Sequence, residues 1–206
     1  MLFRNPAMTN QNPAPSLELD AASTALVLID LQKGILPHAQ APYDAATVLA
    51  NAARLVDAFR AAKAPVVFVK VGWSADGGDA LKTAVDQPRP MDKLPADWLE
   101  EPPELRSQPG DLHILKHQWG AFQGTELDLQ LRRRGIRTIV LGGVASSIGV
   151  ESTGRFGWEL GYEMVFVEDV SSGADLDMHT NTFAKVFPRI GRVRDTAQVT
   201  DALKPR

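Results

Sequence analysis

The chain has 206 residues, of which 44% are hydrophobic and 23% charged, and a formal net charge of −3. That is room for one domain with a real core, but it gives no electrostatic reason to expect a nucleic-acid partner. No window is long and apolar enough to span a membrane, and the absence of cysteine excludes disulfides and thiolate metal sites.

Residues 1–16 (MLFRNPAMTNQNPAPS) lack the apolar core of an export signal and read as a flexible, Pro/Asn-rich lead. Cytoplasm is then the default location, and residues 17–206 form the expected single domain. The first apolar run, Ala25–Asp30 (ALVLID), predicts a strand. Tyr43–Lys63 predicts a helix, with Val48, Ala52, Leu55 and Phe59 at helical spacing. A second strand is expected at Pro65–Val71 (PVVFVKV).

Gly72–Gly110 then breaks the rhythm. It holds six prolines and two of the four tryptophans, Trp73 and Trp98. A connection this long in a compact domain is functional or disordered. It reads either as an ordered excursion over the sheet edge or pocket mouth, or as a surface insertion without chemistry. PADWLEE, around Trp98, predicts a short helical piece within it.

Beyond it, strands are expected at Leu112–Lys116, Arg137–Val144 and Tyr162–Glu168, and a weaker one at Ile190–Arg194. Helices are expected at Thr125–Arg134, Ser147–Leu160, Asp177–Phe187 and Thr196–Leu203. The nearly continuous Val/Ile strands suit a parallel sheet buried on both faces. Their alternation with helices predicts a three-layer α/β/α domain with right-handed crossovers.

Ligands of open α/β sheets bind beyond the carboxyl ends of the strands. That rule selects Asp30, Gly72 and Trp73, Lys116, Val144–Gly149 and Asp169. An acid and a lysine at separate strand tips could meet over one pocket. The lysine would favour ionised Asp30 and burial its protonated form. Taken singly, Asp30 reads more readily as a helix or turn cap and Lys116 most simply as a solvated charge. His113 and His117 share a strand face but lack a third ligand, and His38 and His179 have no partner suggested by spacing, so no metal site is expected. In Val144–Gly149, small residues let backbone amides face a ligand, and Ser146 or Ser147 can cap the helix that follows. The bland alternative is a tight strand-to-helix turn. Gly154 and Gly157 point to close packing of that helix on the sheet.

LVLIDLQKGI around Asp30, ILKHQWGAFQGTELDLQLRRRGI around Lys116, IVLGGVASSIGVESTGRFGWELGYEMVFVEDV and FPRIGRV together resemble the isochorismatase-like superfamily of cysteine hydrolases. The resemblance runs from about residue 24 to the C-terminus and is weakest over Gly72–Gly110. It implies an isochorismatase-type, Rossmann-like fold with a six-stranded parallel sheet of order 3-2-1-4-5-6, and a homodimer or larger homo-oligomer. It also implies an Asp–Lys–Cys triad, with Asp30 as acid/base, Lys116 as its partner, and Gly149 where the cysteine would stand. A cis peptide is implied at Val144–Ala145.

Glycine cannot replace a thiolate nucleophile. Nicotinamidases in the superfamily also bind a metal through Asp and His, whereas KVGWSADGG after the second strand has no histidine. True isochorismatases share the glycine and hydrolyse a vinyl ether, where protonation of carbon needs a general acid but no protein nucleophile. They carry Tyr-Ala-His before it, however, and this chain has Ala145-Ser146-Ser147.

The leading expectation is a thiol-independent hydrolase of a small metabolite. Asp30 and Lys116 would be catalytic. Val144, Ala145, Ser147, Gly149, Trp73, Trp119 and Phe122 would bind substrate, with no cofactor or metal. One alternative is a catalytically silent homologue that binds a small molecule or a partner. Another is a serine hydrolase with Ser147 at an approximate G-x-S-x-G elbow, followed by Asp169 or Asp175 and then His179.

Overall fold

The structure, a computed structural model, describes residues 16–88 and 94–204. Nearly all of the expected N-terminal lead, and part of the Gly72–Gly110 segment, lie outside the described residues. The six strands of the main sheet are β1 (Thr24–Ile29), β2 (Val66–Val71), β3 (Leu112–Lys116), β4 (Thr138–Val144), β5 (Glu163–Ser172) and β6 (Arg192–Arg194). They pair in parallel in the spatial order 3-2-1-4-5-6. A short parallel pair, Leu19–Asp20 with Leu203–Lys204, joins the two ends of the described chain.

Every residue of β1 and β4 is buried, as expected of central strands covered on both faces. Alternate side chains enter two cores. Leu26, Leu28, Phe68, Val140 and Val165 pack with α1 (Ala45–Ala61). Val27, Ile29, Val69, Leu141 and Phe166 pack on the other face with α2 (Leu127–Arg133), α3 (Glu151–Glu159) and Phe183 and Phe187. Asp44 caps α1 by accepting from the Thr47 amide at 2.8 Å. Helix α3 lies close on the sheet, since a Cβ at Gly154 would fall 2.5 Å from Phe166 and one at Gly157 2.9 Å from Met164.

Three local features differ from expectation. PADWLEE forms turns, with the Trp98 amide donating to Pro95 O and the Glu100 amide to Asp97 O, and no helix. Strand β5 runs on to Ser172, because its pairing with β4 shifts register between Leu141 and Gly143 and then resumes. The predicted helix over 177–187 is split into α4 (Leu176–Asn181), a π-helical turn at Thr182–Val186 and α5 (Phe187–Ile190). Helix α6 (Thr196–Ala202) completes the set, with Asp195 and Gln198 in a reciprocal capping box.

The sheet order reverses between β1 and β4, and their carboxyl ends define a crevice at that switch point. Asp30 leaves β1 there, and Val144 and the turn after it leave β4. Gly143 pairs with Ile29 at φ 139°, and a Cβ on it would fall 2.1 Å from the Ile29 carbonyl oxygen. Only glycine fits this contact, which brings the two strand ends together.

Candidate active site

Asp30 and Lys116 meet at the crevice. The Lys116 Nζ donates to Asp30 Oδ2 at 2.8 Å and to the Gln118 carbonyl at 3.1 Å. The side chains are 1% and 6% exposed, so the ion pair is almost dry. Asp30 Oδ1 is buried and has no hydrogen-bond partner among protein atoms. One carboxylate oxygen is therefore engaged and the other unused. Burial pushes the Asp30 carboxyl up to about 6, against the opposing pull of Lys116. Asp30 also holds φ 53°, a left-handed conformation that costs a non-glycine residue about 1–3 kcal/mol. Its own amide donates to Val69 O at 2.8 Å, which anchors that geometry.

Gly149 faces this pair from the turn after β4. A Cβ there would lie 3.0 Å from Ile29 Cγ2, 3.2 Å from Asp30 Oδ2 and 3.5 Å from the Trp119 carbonyl oxygen. The glycine thus lets the turn approach the carboxylate closely. The Val144–Ala145 peptide is cis, at the place implied by the resemblance. Residues Ser146–Val150 form a π-helical turn that leads directly into α3. Thr153 ties this turn to the segment after β3: its hydroxyl donates to Gly149 O at 2.7 Å and accepts from the Ala121 amide at 3.1 Å.

The other expected pocket residues divide. Val144 is fully buried at the end of β4, and Ala145 and Ser147 are partly buried in the turn. Trp119 presents its carbonyl toward Gly149, while its side chain is largely exposed. Trp73 is pinned beside the lysine segment through Nε1, which donates to His117 O at 2.9 Å, and its ring lies 6.5 Å from that of Trp98. Phe122, expected in the pocket wall, packs instead in the core. Its ring stacks on Tyr162, at the amino end of β5, remote from the strand tips that carry Asp30 and Lys116.

His179 contacts Ser146 rather than Ser147, with Oγ and Nδ1 2.8 Å apart. Asp169 accepts from Thr196, and Asp175 caps α4 by accepting from the Met178 amide. The nearest carboxylate to His179 is that of Glu168, 3.8 Å from Nε2. The elbow arrangement expected of Ser147, Asp169 or Asp175, and His179 is therefore not the one formed. Ser146 itself is 1% exposed.

Nothing in the sequence around Gln32 singles it out, yet its amide is fully buried and links three segments. It donates to Val71 O and Trp98 O, both at 3.0 Å, and accepts from the Val71 amide at 2.8 Å. Trp98 Nε1 also donates to Val71 O at 2.7 Å. The Trp98 stretch is thereby fastened to the carboxyl end of β2 and the loop after Asp30. His113 meets Glu101 and Ser107, whereas His117 meets Gly72 O. Among the described residues, no group of three or more His, Cys, Asp or Glu side chains is placed to hold a metal ion. No described helix is long and apolar enough to cross a membrane.

The isochorismatase domain model matches residues 24–198, the span that contains Asp30, Lys116 and the β4 turn. The isochorismatase family protein YecD of Escherichia coli is 51% identical over 187 residues, covering 91% of this chain and 100% of that protein. The ureidoacrylate amidohydrolase RutB of Yersinia enterocolitica is 34% identical over 191 residues, covering 82% and 83% of the two chains. The structure of an isochorismatase family protein from Burkholderia thailandensis superposes with a TM-score of 0.87 at 45% identity, covering 90% of this chain and 97% of that one. The chain belongs to the isochorismatase family and has its hydrolase fold.

Proposed function

We propose that the protein hydrolyses a small metabolite by general acid–base catalysis at Asp30, without a protein nucleophile. The observation that carries this reading is the asymmetry of the Asp30 carboxyl. Oδ2 is held by Lys116, Oδ1 is buried and unpartnered, and burial raises its proton affinity. Such a group keeps its proton up to about pH 6 and has an oxygen free to deliver it.

In the proposed reaction, protonated Asp30 transfers its proton from Oδ1 to the substrate. The receiving atom is the β-carbon of a vinyl ether or the leaving heteroatom of an acyl group. Lys116 stabilises the carboxylate this leaves. The carboxylate then takes a proton from a water molecule as its oxygen adds to the electrophilic carbon, which restores the acid. On an acyl substrate the backbone amides of the Val144–Gly149 turn bind the carbonyl oxygen at which negative charge develops, and departure of the protonated leaving group completes hydrolysis. On a vinyl ether the water adduct is a hemiketal, whose C–O bond breaks to release ketone and alcohol. Trp73 supplies apolar wall at the mouth.

RutB is named for amide hydrolysis, and enol ethers and acyl compounds related to ureidoacrylate are accordingly the first candidates. Thiolate attack on an amide is closed to this chain, which has no cysteine. The test is a panel of vinyl ethers, N-vinyl ureas, esters and amides, assayed across pH 4–9. Turnover on a vinyl or acyl substrate is expected, with kcat/KM falling above about pH 6 as Asp30 ionises, and Asp30→Asn should lower it by about 10²-fold or more. Full activity in Asp30→Asn would dismiss the assignment. No turnover anywhere on the panel would favour a binding protein that has lost catalysis.

A further inference from the structure

His179 takes no part in the acid–base step, yet it is 2% exposed and adjoins the turn that carries Gly149. Its Nδ1 lies 2.8 Å from the Oγ of Ser146, the first residue of the π-helical turn Ser146–Val150. Its Nε2 is buried without a hydrogen-bond partner, and the nearest charge to it is Glu168 Oε1 at 3.8 Å. The ring is clamped from one side by Phe183, stacked at 4.6 Å between centroids. Burial pushes the imidazole down to about 4, so the ring is neutral near pH 7. A neutral imidazole has one N–H and one acceptor nitrogen. The Glu168 carboxylate favours the proton on Nε2, which leaves Nδ1 to accept from the Ser146 hydroxyl.

We propose that His179 is a positioning residue for the substrate-facing turn: as the Nε2–H tautomer it grips Ser146 through Nδ1 and so sets the direction of the Ser146–Gly149 amides. Helix α4, on which His179 stands, is in this way coupled to the site without touching substrate. Ser146 is the only residue of the turn that His179 holds by a side-chain hydrogen bond among the described residues. Asp175, by capping α4 at its Met178 amide, fixes the start of the helix that aims the imidazole. The turn's use by substrate rests on the function proposed for Asp30, whereas the histidine's hold on the turn does not.

The experiment uses the full chain, isotopically labelled and without substrate. Long-range proton–nitrogen NMR spectra near pH 7 should show a neutral His179 with its proton on Nε2. In Ser146→Ala the two tautomers should become mixed. In His179→Leu, hydrogen exchange of the Ser146–Val150 amides should rise about tenfold, the size expected for loss of one hydrogen bond. Exchange in β1 and β4 should stay as in the parent. His179→Asn, whose Oδ1 can take the place of Nδ1, should restore slow exchange in the turn. A protonated ring, an Nδ1–H tautomer that is indifferent to Ser146→Ala, or equal exchange in the Asn and Leu variants would each overturn the proposal. Should the Leu variant not fold, the tautomer spectra and the Asn variant still decide it. Loss of turn protection in variants of a protein that shows no turnover would uphold the positioning role while refuting the catalytic reading.

Discussion

Asp30 and Lys116 form a buried pair whose balance can be measured as a pH-dependent stability. The carboxyl is raised from 3.8 to about 6, which at about 1.4 kcal/mol per tenfold change corresponds to about 3 kcal/mol. The sign follows from the direction. A carboxyl with a raised folded-state pKa binds its proton more tightly in the fold than in the unfolded chain. Its contribution to stability is therefore present in full below about pH 4 and is lost as the pH rises through about 6. The useful reference is the double variant Asp30→Asn/Lys116→Met. It removes both charges and avoids leaving a buried ammonium unpaired, which alone is strongly destabilising. Asparagine also tolerates the left-handed conformation that position 30 requires. Urea denaturation of both proteins from pH 3.5 to 7.5 cancels most other titrations. The stability of the parent relative to the double variant is expected to fall by about 3 kcal/mol across that range, mostly between pH 4 and 6. A flat difference would show that Asp30 titrates alike in both states. A difference that rises with pH would show that Lys116 outweighs burial, so that Asp30 is a permanent carboxylate and no acid.

Three further outcomes test the frame around the pair. Gln32→Leu strands the Val71 amide and removes a donor from Val71 O and Trp98 O, so denaturation should show a loss of about 2–4 kcal/mol, with Trp98 fluorescence shifted toward that of an exposed indole. Gly143→Ala forces a Cβ to 2.1 Å from the Ile29 carbonyl at φ 139°, and should abolish folding or cost more than about 3 kcal/mol by circular dichroism melts. Gly149→Ala demands a smaller adjustment, with contacts at 3.0 and 3.2 Å, so a loss of about 1–2 kcal/mol in thermal denaturation is expected; no loss would mean that the turn is looser than its geometry.

Much of this architecture is legible from local pattern, because central parallel strands are continuous Val/Ile runs and their tips are where chemistry collects. That rule together with the family resemblance points to Asp30 and Lys116, which the fold pairs although they stand 86 residues apart. The spatial order of the strands came from the resemblance alone, since periodicity does not report which strands are neighbours. What escaped was non-local or small in scale. Gln32 pairs with backbone groups 39 and 66 residues away, and nothing in its neighbourhood distinguishes it from a surface glutamine. The bearing of Phe122 depends on how the segment after β3 folds back over the core, which composition does not encode. The exchange of Ser147 for Ser146 as the partner of His179 is a matter of one residue within a π-helical turn, whose wider coil displaces side chains from the positions that α-helical spacing predicts.

The geometry at Gly149 bears on the acid role proposed for Asp30. The Cβ that is absent there would fall 3.2 Å from Oδ2, the same oxygen that Lys116 engages. A larger residue would have to push the turn away from the carboxylate, or displace the carboxylate from its lysine. With glycine, the turn lies close to Oδ2. Burial as a whole raises the proton affinity of Asp30. A thiolate mechanism needs the aspartate to draw a proton from sulfur, and gains from a carboxyl that ionises readily. Direct proton donation to substrate gains from the opposite setting. Under the function proposed for Asp30, Gly149 supplies no nucleophile of its own and lets the turn lie close to a carboxyl whose burial favours the proton-bearing state that nucleophile-free hydrolysis would use.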